Sequence, residues 1–386
     1  MELLNPLQYL AIDVANNADI KGSWKQRLYW FRRNEHRLEK VSGDPLYQAA
    51  VHAYRNRNGK YLIGLDAQAS GIQMLAILTH DEKAIFHCGL DSQSYKDIYT
   101  ELFKKMKLSS EITRKDAKKA LMTHCFGSEL NPQRRLKTDE NLREFYRVLN
   151  EEIPKVSDFI KASLTVMWNP KASSYQWTMP DGFNVDLKVM VPINTTIKFK
   201  DKDWKVQFEI NEPSKQGREL PSAITHSTDA LVMREMIRRC NFPTEKKQYI
   251  QRLIYKEFNT TDVYPSEDNT EVERLWNLYI DSGFLSVKIL NHINGANINL
   301  IDRSVILELL NSLPTESFQV LPIHDQFFSS PKYGNDLRKQ YNQVLKQLWD
   351  SNLLAHILKH IDVSISKDSI NKSIGSKILN CNYSLT

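Results

Sequence analysis

The sequence predicts a helix-rich α+β fold with a small antiparallel sheet. Apolar residues recur at helical spacing over most of the 386 residues, for example in residues 92–107 and 113–126. Short apolar stretches at 60–66 and 317–328 instead have the length and turn residues of strands, and residues 175–210 alternate as hairpins do. Two or three domains, or one large multi-lobed unit, fit this length.

Composition restricts the class of protein without identifying it. The net charge of +6 fits a partner rich in phosphate, but many basic proteins bind no nucleic acid. The four cysteines lack CxxC spacing, so we expect neither a zinc site nor a disulfide framework. No apolar run approaches the roughly 20 residues of a membrane span, and the first residues do not resemble a signal peptide. We therefore expect a cytoplasmic protein with no membrane contact.

The first third of the chain leads to one aspartate. Residues 1–58 are predicted to be mostly helical, with basic and aromatic residues sharing a face near Trp24. A buried strand over 60–66 then ends at Asp66, and a turn of small residues leads into a helix over Ile72 to Leu78. Asp66 is therefore expected where a buried strand ends.

The middle of the chain is predicted to be helical, with a β-rich interruption. Thr113 and Asp116 have capping-box spacing at the start of the 113–126 helix, and more helix follows from about Asp139 to Met167. A turn at 180–183 and a hairpin over 196–210 come next. His226 is expected to open a helix that ends near Arg239.

The last third leads to a second aspartate. Helical segments over 241–313 are separated by the polar stretch Asn259 to Thr270. Residues 317–328 are predicted to form a strand, a turn and a second strand, which places Asp325 at the turn. No repeat or long flexible linker is visible, so we expect the lobes to be interleaved in one body.

Asp66 and Asp325 are candidates for a two-metal site. Mg²⁺ prefers carboxylate oxygens and keeps several waters, so two aspartates from different strands can hold a pair of ions for nucleotidyl transfer. Without metal the two carboxylates would repel each other, and one would tend to protonate. A single aspartate at a strand end is more often a turn or cap residue. His80-Asp81 is such a case, since no apolar strand precedes it, and we assign it no role.

The helix over 113–126 carries cations at regular spacing. Arg114, Lys118, Met122 and Phe126 recur every fourth residue and share one face. Arg114 and Lys118 could grip a triphosphate, Lys118 could also protonate pyrophosphate, and Phe126 could stack near a base. The alternative is a solvated basic face above an ordinary core phenylalanine.

Three strings together resemble motifs A, B and C of the single-subunit phage and mitochondrial RNA polymerases, which are relatives of the family A DNA polymerases. They are Asp66-x-x-x-Ser70-Gly71-x-Gln73, Arg114-x-x-x-Lys118-x-x-x-Met122-Thr123-x-x-Phe126-Gly127-Ser128 and Ile323-His324-Asp325-x-Phe327. Supporting strings are Trp177-x-x-Pro180-Asp181-Gly182-Phe183, His226-Ser227-x-Asp229 and Asp97-Ile98-Tyr99. The similarity covers most of the chain, fades over 241–313 and resumes from Leu337 to Thr386.

The resemblance implies a right-hand polymerase fold, helix-rich with a small antiparallel palm sheet and without the N-terminal domain and thumb. Residues 1–72 would form the first part of the palm with motif A, and 73–228 the fingers with motif B and a hairpin like the specificity loop. Residues 229–386 would form the second part of the palm with motif C and an insertion at 241–313.

The same resemblance implies roles for individual residues. Asp66 and Asp325 would bind two Mg²⁺ ions, while Arg114 and Lys118 would contact the triphosphate, with Lys118 also catalytic. Phe126 would occupy the aromatic gate position, and the nucleotide would also be contacted by three further residues: Gly71, Tyr99 and His226.

The resemblance favours ribonucleotides, because Ser70-Gly71 stands where cellular family A DNA polymerases place a glutamate that excludes a 2′-hydroxyl. The RNA polymerases usually have tyrosine at the position of Phe126, and the missing hydroxyl removes one hydrogen-bonding group. Alternatives therefore stay open: a DNA polymerase or primase of family A type, or a nucleic-acid-binding subunit that is not catalytic.

A second subunit is also implied. The family's Asp-x-x-Gly-Arg string, thumb and promoter-opening region do not occur here, and backbone contacts supply most of the affinity for a template–product duplex. The pattern resembles the larger, catalytic subunit of the two-subunit RNA polymerase of certain podoviruses, working in the infected bacterial cytoplasm. Its partners would be the smaller subunit, the DNA template, the RNA product and ribonucleoside triphosphates, with a phage DNA-binding initiation factor left open. Residues 241–313 would be a docking element or a passive insertion.

Overall fold

The computed structural model describes residues 1–255, 269–365 and 370–386. The predicted class is confirmed: the chain is a helix-rich α+β protein with small antiparallel sheets. Among the described residues, we find no helix that combines the length and apolar character needed to cross a membrane.

The N-terminal residues are helical, as predicted, and lead into a short strand. The elements are α1 (Pro6–Asn17), α2 (Trp24–Asn34), α3 (Pro45–Arg55), β1 (Ile63–Asp66), α4 (Ser70–Leu78) and α5 (Glu82–His87). Capping boxes at Asn5 and Ser23 start α1 and α2, because each side chain accepts a hydrogen bond from a backbone N–H that has no partner in its helix. Strand β1 is buried except at Asp66.

Five helices follow, and two boundaries differ from the prediction. They are α6 (Ile98–Lys105), α7 (Arg114–Cys125), α8 (Leu130–Leu136), α9 (Asp139–Glu152) and α10 (Pro154–Leu164). The capping box of Thr113 and Asp116 is present at the start of α7. Helix α6 starts at Ile98 rather than 92, capped by Asp97. The helix expected over 139–167 is divided at Pro154, which lacks an N–H and starts a new helix.

Two antiparallel hairpins form the predicted β-rich interruption. Their strands are β2 (Ser174–Thr178), β3 (Asn184–Lys188), β4 (Met190–Phe199) and β5 (Lys202–Asn211). Lys200 and Asp201 form the tip of the second hairpin with positive φ angles of 48° and 58°. That conformation matches the twist of a two-residue hairpin turn.

A long helix and the insertion at 241–313 come next. The helices are α11 (Glu219–Cys240), α12 (Thr244–Tyr255), α13 (Asn269–Ser282) and α14 (Arg303–Ser312). The expected start of α11 at His226 is wrong, because burial of Leu220 and Ile224 extends the helix back to Glu219. The insertion has its own buried apolar cluster and attaches to α11 through Glu235, which accepts hydrogen bonds from Ser286 Oγ at 2.5 Å and Val287 N at 2.9 Å. Most of the polar stretch from Asn259 to Thr270 lies outside the described residues.

The last elements complete the central sheet. They are β6 (Leu321–Ile323), β7 (Gln326–Ser329), α15 (Gly334–Trp349), α16 (Leu353–Lys359) and α17 (Lys372–Leu379). The sheet order is β1-β7-β6, and both pairings are antiparallel. The predicted strand, turn and strand are confirmed, and the hairpin lies directly against the strand that carries Asp66.

Candidate active site

The sheet brings the two predicted aspartates together. Asp66, the last residue of β1, pairs with Gln326, the first residue of β7. The N–H of Ala67 donates to the carbonyl oxygen of Asp325 at 3.0 Å. Asp66 and Asp325 therefore lie at the same end of two neighbouring strands although 259 positions separate them in sequence (325 minus 66).

The backbone of Asp66 is held on its other edge as well. Asp66 N donates to Thr386 O at 2.9 Å, and Thr386 N donates to Asp66 O at 2.8 Å. Leu385 is fully buried and anchors this segment. Asp13 Oδ1 accepts a 2.9 Å hydrogen bond from Gly64 N within the strand. A strand of four residues is thus fixed on both sides.

Both turns that carry the aspartates contain a residue with left-handed backbone geometry. Ala69 precedes α4 with φ of 54°, and His324 precedes Asp325 with φ of 54°. A non-glycine residue reaches this region at a cost of order 1–3 kcal/mol, and such residues cluster at functional sites. The two turns are thus held in costly conformations by the surrounding structure.

The electrostatics of the pair fit a divalent cation. The Asp66 side chain is solvent-accessible, yet its pKa is raised to about 6, first because the cleft walls displace water from the carboxylate and second because the Asp325 carboxylate lies nearby. Burial, followed by Asp325, raises the pKa of Asp229 on α11 to about 7. Carboxylates that lie close together without a bound cation favour protonation, and their oxygens are the donors that Mg²⁺ prefers. No cluster of three or more histidine, cysteine, aspartate or glutamate side chains able to hold a metal occurs among the described residues.

A cleft of about 610 Å³ opens beside Asp66. Arg114 and Lys118 line it from α7, as their spacing predicts, together with Tyr99 from α6. Lys118 Nζ lies 4.9 Å from the centre of the Tyr99 ring. The Arg114 guanidinium is bound to the Asp97 carboxylate and donates through Nε to Thr100 Oγ1 at 2.6 Å. Lys118 is thus presented to the cleft, whereas the charge of Arg114 is partly neutralised.

Phe126, His226 and Gly71 form a second group. The rings of Phe126 and His226 have centroids 5.0 Å apart and an interplanar angle of 31°. A Cβ atom at Gly71 would lie 2.8 Å from Cζ of Phe126, so the ring fills the space that the glycine leaves. Gly127, with φ of 87°, packs so closely on Arg218 that any side chain there would collide with the Arg218 carbonyl. This contact fixes Phe126 relative to the helix that carries His226.

His80-Asp81, to which we assigned no role, belongs to the scaffold. Asp81 is buried and accepts hydrogen bonds from three backbone N–H groups, those of Ala84 at 3.0 Å, Lys155 at 2.9 Å and Val156 at 3.2 Å. It caps α5 and ties that helix to the start of α10. These hydrogen bonds give the Asp81 carboxylate a structural role.

Sequence reasoning missed several residues that line the cleft, of which Arg27 is a buried cation. Arg27 of α2 lines the cleft beside Asp66 and is only 2% exposed. Its position in a basic helix predicts a solvated side chain, and no local pattern indicates burial against a cleft formed by distant segments. No protein-family model matches this chain, and no curated protein matches it either.

Proposed function

We propose that this protein is the catalytic subunit of a DNA-directed RNA polymerase, which adds ribonucleotides to an RNA 3′ end by two-metal nucleotidyl transfer. The observation that carries the proposal is the meeting of Asp66 and Asp325 at one end of the sheet, beside a cleft lined by Arg114 and Lys118. Carboxylates beside cations are what a metal–triphosphate complex requires.

Asp66 and Asp325 would hold the Mg²⁺ ions. Their oxygen-only donor set and the raised pKa of Asp66 favour a hard divalent cation over a fixed basic side chain. When bound, such ions supply activation of the attacking hydroxyl and neutralisation of the pyrophosphate. The backbone hydrogen bonds on both edges of β1 keep Asp66 in place, so little reorganisation is needed when ligands bind.

Lys118 and Arg114 would bind the triphosphate. Lys118 lies over the Tyr99 ring and lines the open cleft, so its ammonium is available to phosphate oxygens and can donate a proton to pyrophosphate. Arg114 holds Asp97 in the free protein. Phosphate would compete with that carboxylate for the guanidinium, and the exchange would couple triphosphate binding to the start of α6.

Phe126, His226 and Gly71 would surround the sugar and base. Gly71 leaves no side chain beside the ring of Phe126, and the His226 ring of α11 lies against that ring at a tilt of 31°. Phe126 lacks the hydroxyl of a tyrosine, and this observation favours a second candidate, a polymerase of family A type that uses deoxynucleotides. The relative use of the two sugars distinguishes these candidates.

In this proposal β1, β6 and β7 belong to a palm and α7 to fingers, and a second chain provides the thumb and N-terminal contacts. The β4–β5 hairpin would correspond to the promoter-reading loop of the phage enzymes. Its side chains are largely exposed, including Phe199 and Trp204, which leaves them free to contact nucleic acid or the partner chain.

A primer-extension assay tests the proposal. The protein, with and without its partner subunit, is given a primed DNA template, Mg²⁺ and either ribo- or deoxynucleoside triphosphates. Asp66→Asn and Asp325→Asn should each reduce extension at least about 100-fold, because a lost metal ligand removes several kcal/mol of transition-state stabilisation. Asp158→Asn, an equal charge change on the exposed face of α10, is the matched control and should extend normally. Full extension by either active-site variant would contradict the proposal, and a preference for deoxynucleotides would favour the second candidate.

A further inference from the structure

Arg27 is a buried cation whose hydrogen-bonding capacity is largely unused. Its Nε and Nη1 atoms are inaccessible to solvent and have no hydrogen-bond partner. The guanidinium carbon lies 5.2 Å from the centre of the Trp24 ring. Among the described residues, no carboxylate lies within 4.0 Å of it to form an ion pair. Burial lowers the pKa of Arg27, while the nearby Tyr95, Tyr383 and Asp66 raise it, Tyr95 also through a side-chain hydrogen bond that leaves Nε and Nη1 unpaired.

Arg239 is another buried arginine, but its N–H groups pair with acceptors of the protein itself. It is 1% exposed, donates through Nε to Gln340 Oε1 at 2.8 Å and through Nη2 to Ser312 Oγ at 2.5 Å. Those bonds offset the cost of burying its charge. Arg27 has two nitrogen atoms without a partner instead, and a buried donor that is left unpaired destabilises the folded state.

The location of Arg27 indicates which kind of ligand could pair with its unused N–H groups. The residue forms part of the wall of the 610 Å³ cleft, which Arg114 and Lys118 of α7 also line, and it lies near Asp66. The charge of the neighbouring Arg114 is partly neutralised by Asp97. Asp66 is a carboxylate that interacts with both Arg27 and Lys118, so two cations share one carboxylate here. Only an anion can satisfy both the charge and the free N–H groups of Arg27.

We infer that Arg27 is a further phosphate-binding residue of this cleft, whose guanidinium turns toward the cleft when a polyphosphate binds, so that N–H groups buried in the free protein donate to phosphate oxygens directly or through one water. The inference rests on the proposed function for the identity of the ligand, a nucleoside triphosphate or its pyrophosphate product. The geometry itself requires only a polyphosphate in the cleft. Arg27 thus adds a residue of α2 to the binding surface that α7 provides.

Binding of tripolyphosphate tests this inference without any synthesis. Its affinity for the full chain is measured by calorimetry with and without Mg²⁺, together with the rise in melting temperature that it causes. Arg27→Met should weaken binding about tenfold or more and abolish most of that rise, because hydrogen bonds to charged groups contribute about 1.4 kcal/mol or more. The free variant should melt no lower than the wild type, since two unsatisfied buried donors are removed. Arg239→Met is the matched control: it should melt lower yet bind tripolyphosphate normally.

Two outcomes would overturn the inference. One is normal tripolyphosphate binding by folded Arg27→Met, and the other is no binding by the wild-type chain. If Arg27→Met does not fold, Arg27→Gln, which keeps a polar group for Tyr95, is measured against the same criteria. Because tripolyphosphate binding needs neither template nor partner, it can succeed when primer extension fails, and extension can succeed when Arg27 proves irrelevant. The two proposals therefore fail separately.

Discussion

The contact between Gly71 and Phe126 gives a prediction in which the sign of a mutational effect reverses. Gly71 is the second residue of α4, where alanine would normally stabilise the helix by up to about 1 kcal/mol relative to glycine. In this structure the added Cβ would lie 2.8 Å from Cζ and 3.3 Å from Cε1 of Phe126. Ordinary carbon contacts begin near 3.5 Å, so the ring must shift or the helix must strain.

The size of the effect follows from these opposing contributions. Overpacking of this kind costs about 1–3 kcal/mol, which exceeds the helix-propensity gain. Gly71→Ala should therefore destabilise the wild-type protein by roughly 0.5–2 kcal/mol. In a Phe126→Ala background the clash is absent, and the same substitution should stabilise by roughly 0.5–1 kcal/mol. The coupling between the two sites is then about 1–3 kcal/mol.

Chemical denaturation of the four proteins in this double-mutant cycle measures the coupling. Gly43→Ala, where a Cβ would meet no atom within 4 Å, is the control for adding a methyl group in open space. The primer-extension assay adds a functional readout, because displacement of Phe126 from His226 should change nucleotide selection before it changes the chemical step. Stabilisation by Gly71→Ala in the wild-type background, equal to that in Phe126→Ala, would refute the proposed contact.

Three further predictions follow from the geometry of the site and its support. Phe126→Tyr should increase the preference for ribonucleotides over deoxynucleotides by about 3–10-fold, because the added hydroxyl near His226 can form one hydrogen bond. An unchanged ratio of the two products in competitive extension would contradict this prediction. Burial raises the pKa of Asp13 from 3.8 to about 6, so the folded state binds more protons than the unfolded state between about pH 4 and 6. The unfolding free energy should therefore fall by about 2–3 kcal/mol as pH rises through that window. Asp13→Asn should remove this pH dependence of stability, as measured by urea titrations. Asp81→Ala should lower stability by about 3 kcal/mol or more, because three buried backbone N–H groups lose their acceptor, and an unchanged denaturation midpoint would show that water replaces the carboxylate.

Elements that depend on local signals could be predicted from the sequence. The capping box at Thr113, the strand that ends at Asp66 and the turn at Asp325 depend on residues within a few positions of each other. Arg114 and Lys118 are four residues apart on α7 and both line the cleft, and this shared face is likewise a property of a single helix. These patterns predicted the class of fold, which the structure confirms, and they identified Asp66, Asp325, Arg114 and Lys118 as candidates.

Helix boundaries that depend on tertiary burial were predicted less well. Nothing local distinguishes Glu219 from His226 as the start of α11, and burial of Leu220 and Ile224 in the core extends the helix to the earlier residue. Asp97 likewise delays the start of α6, and its carboxylate then binds Arg114.

The sequence by itself determined which side chains are available to the candidate site, since two carboxylates at strand ends and cations four residues apart on one helix can be identified without the fold. Only the tertiary structure decided how that chemistry is supported. The pairing of Thr386 with Asp66, the Gly71–Phe126 contact and the burial of Arg27 join segments that local periodicity cannot relate. Packing against distant segments fixes these contacts, and the cost of burying the Arg27 charge becomes visible only once its neighbours are known.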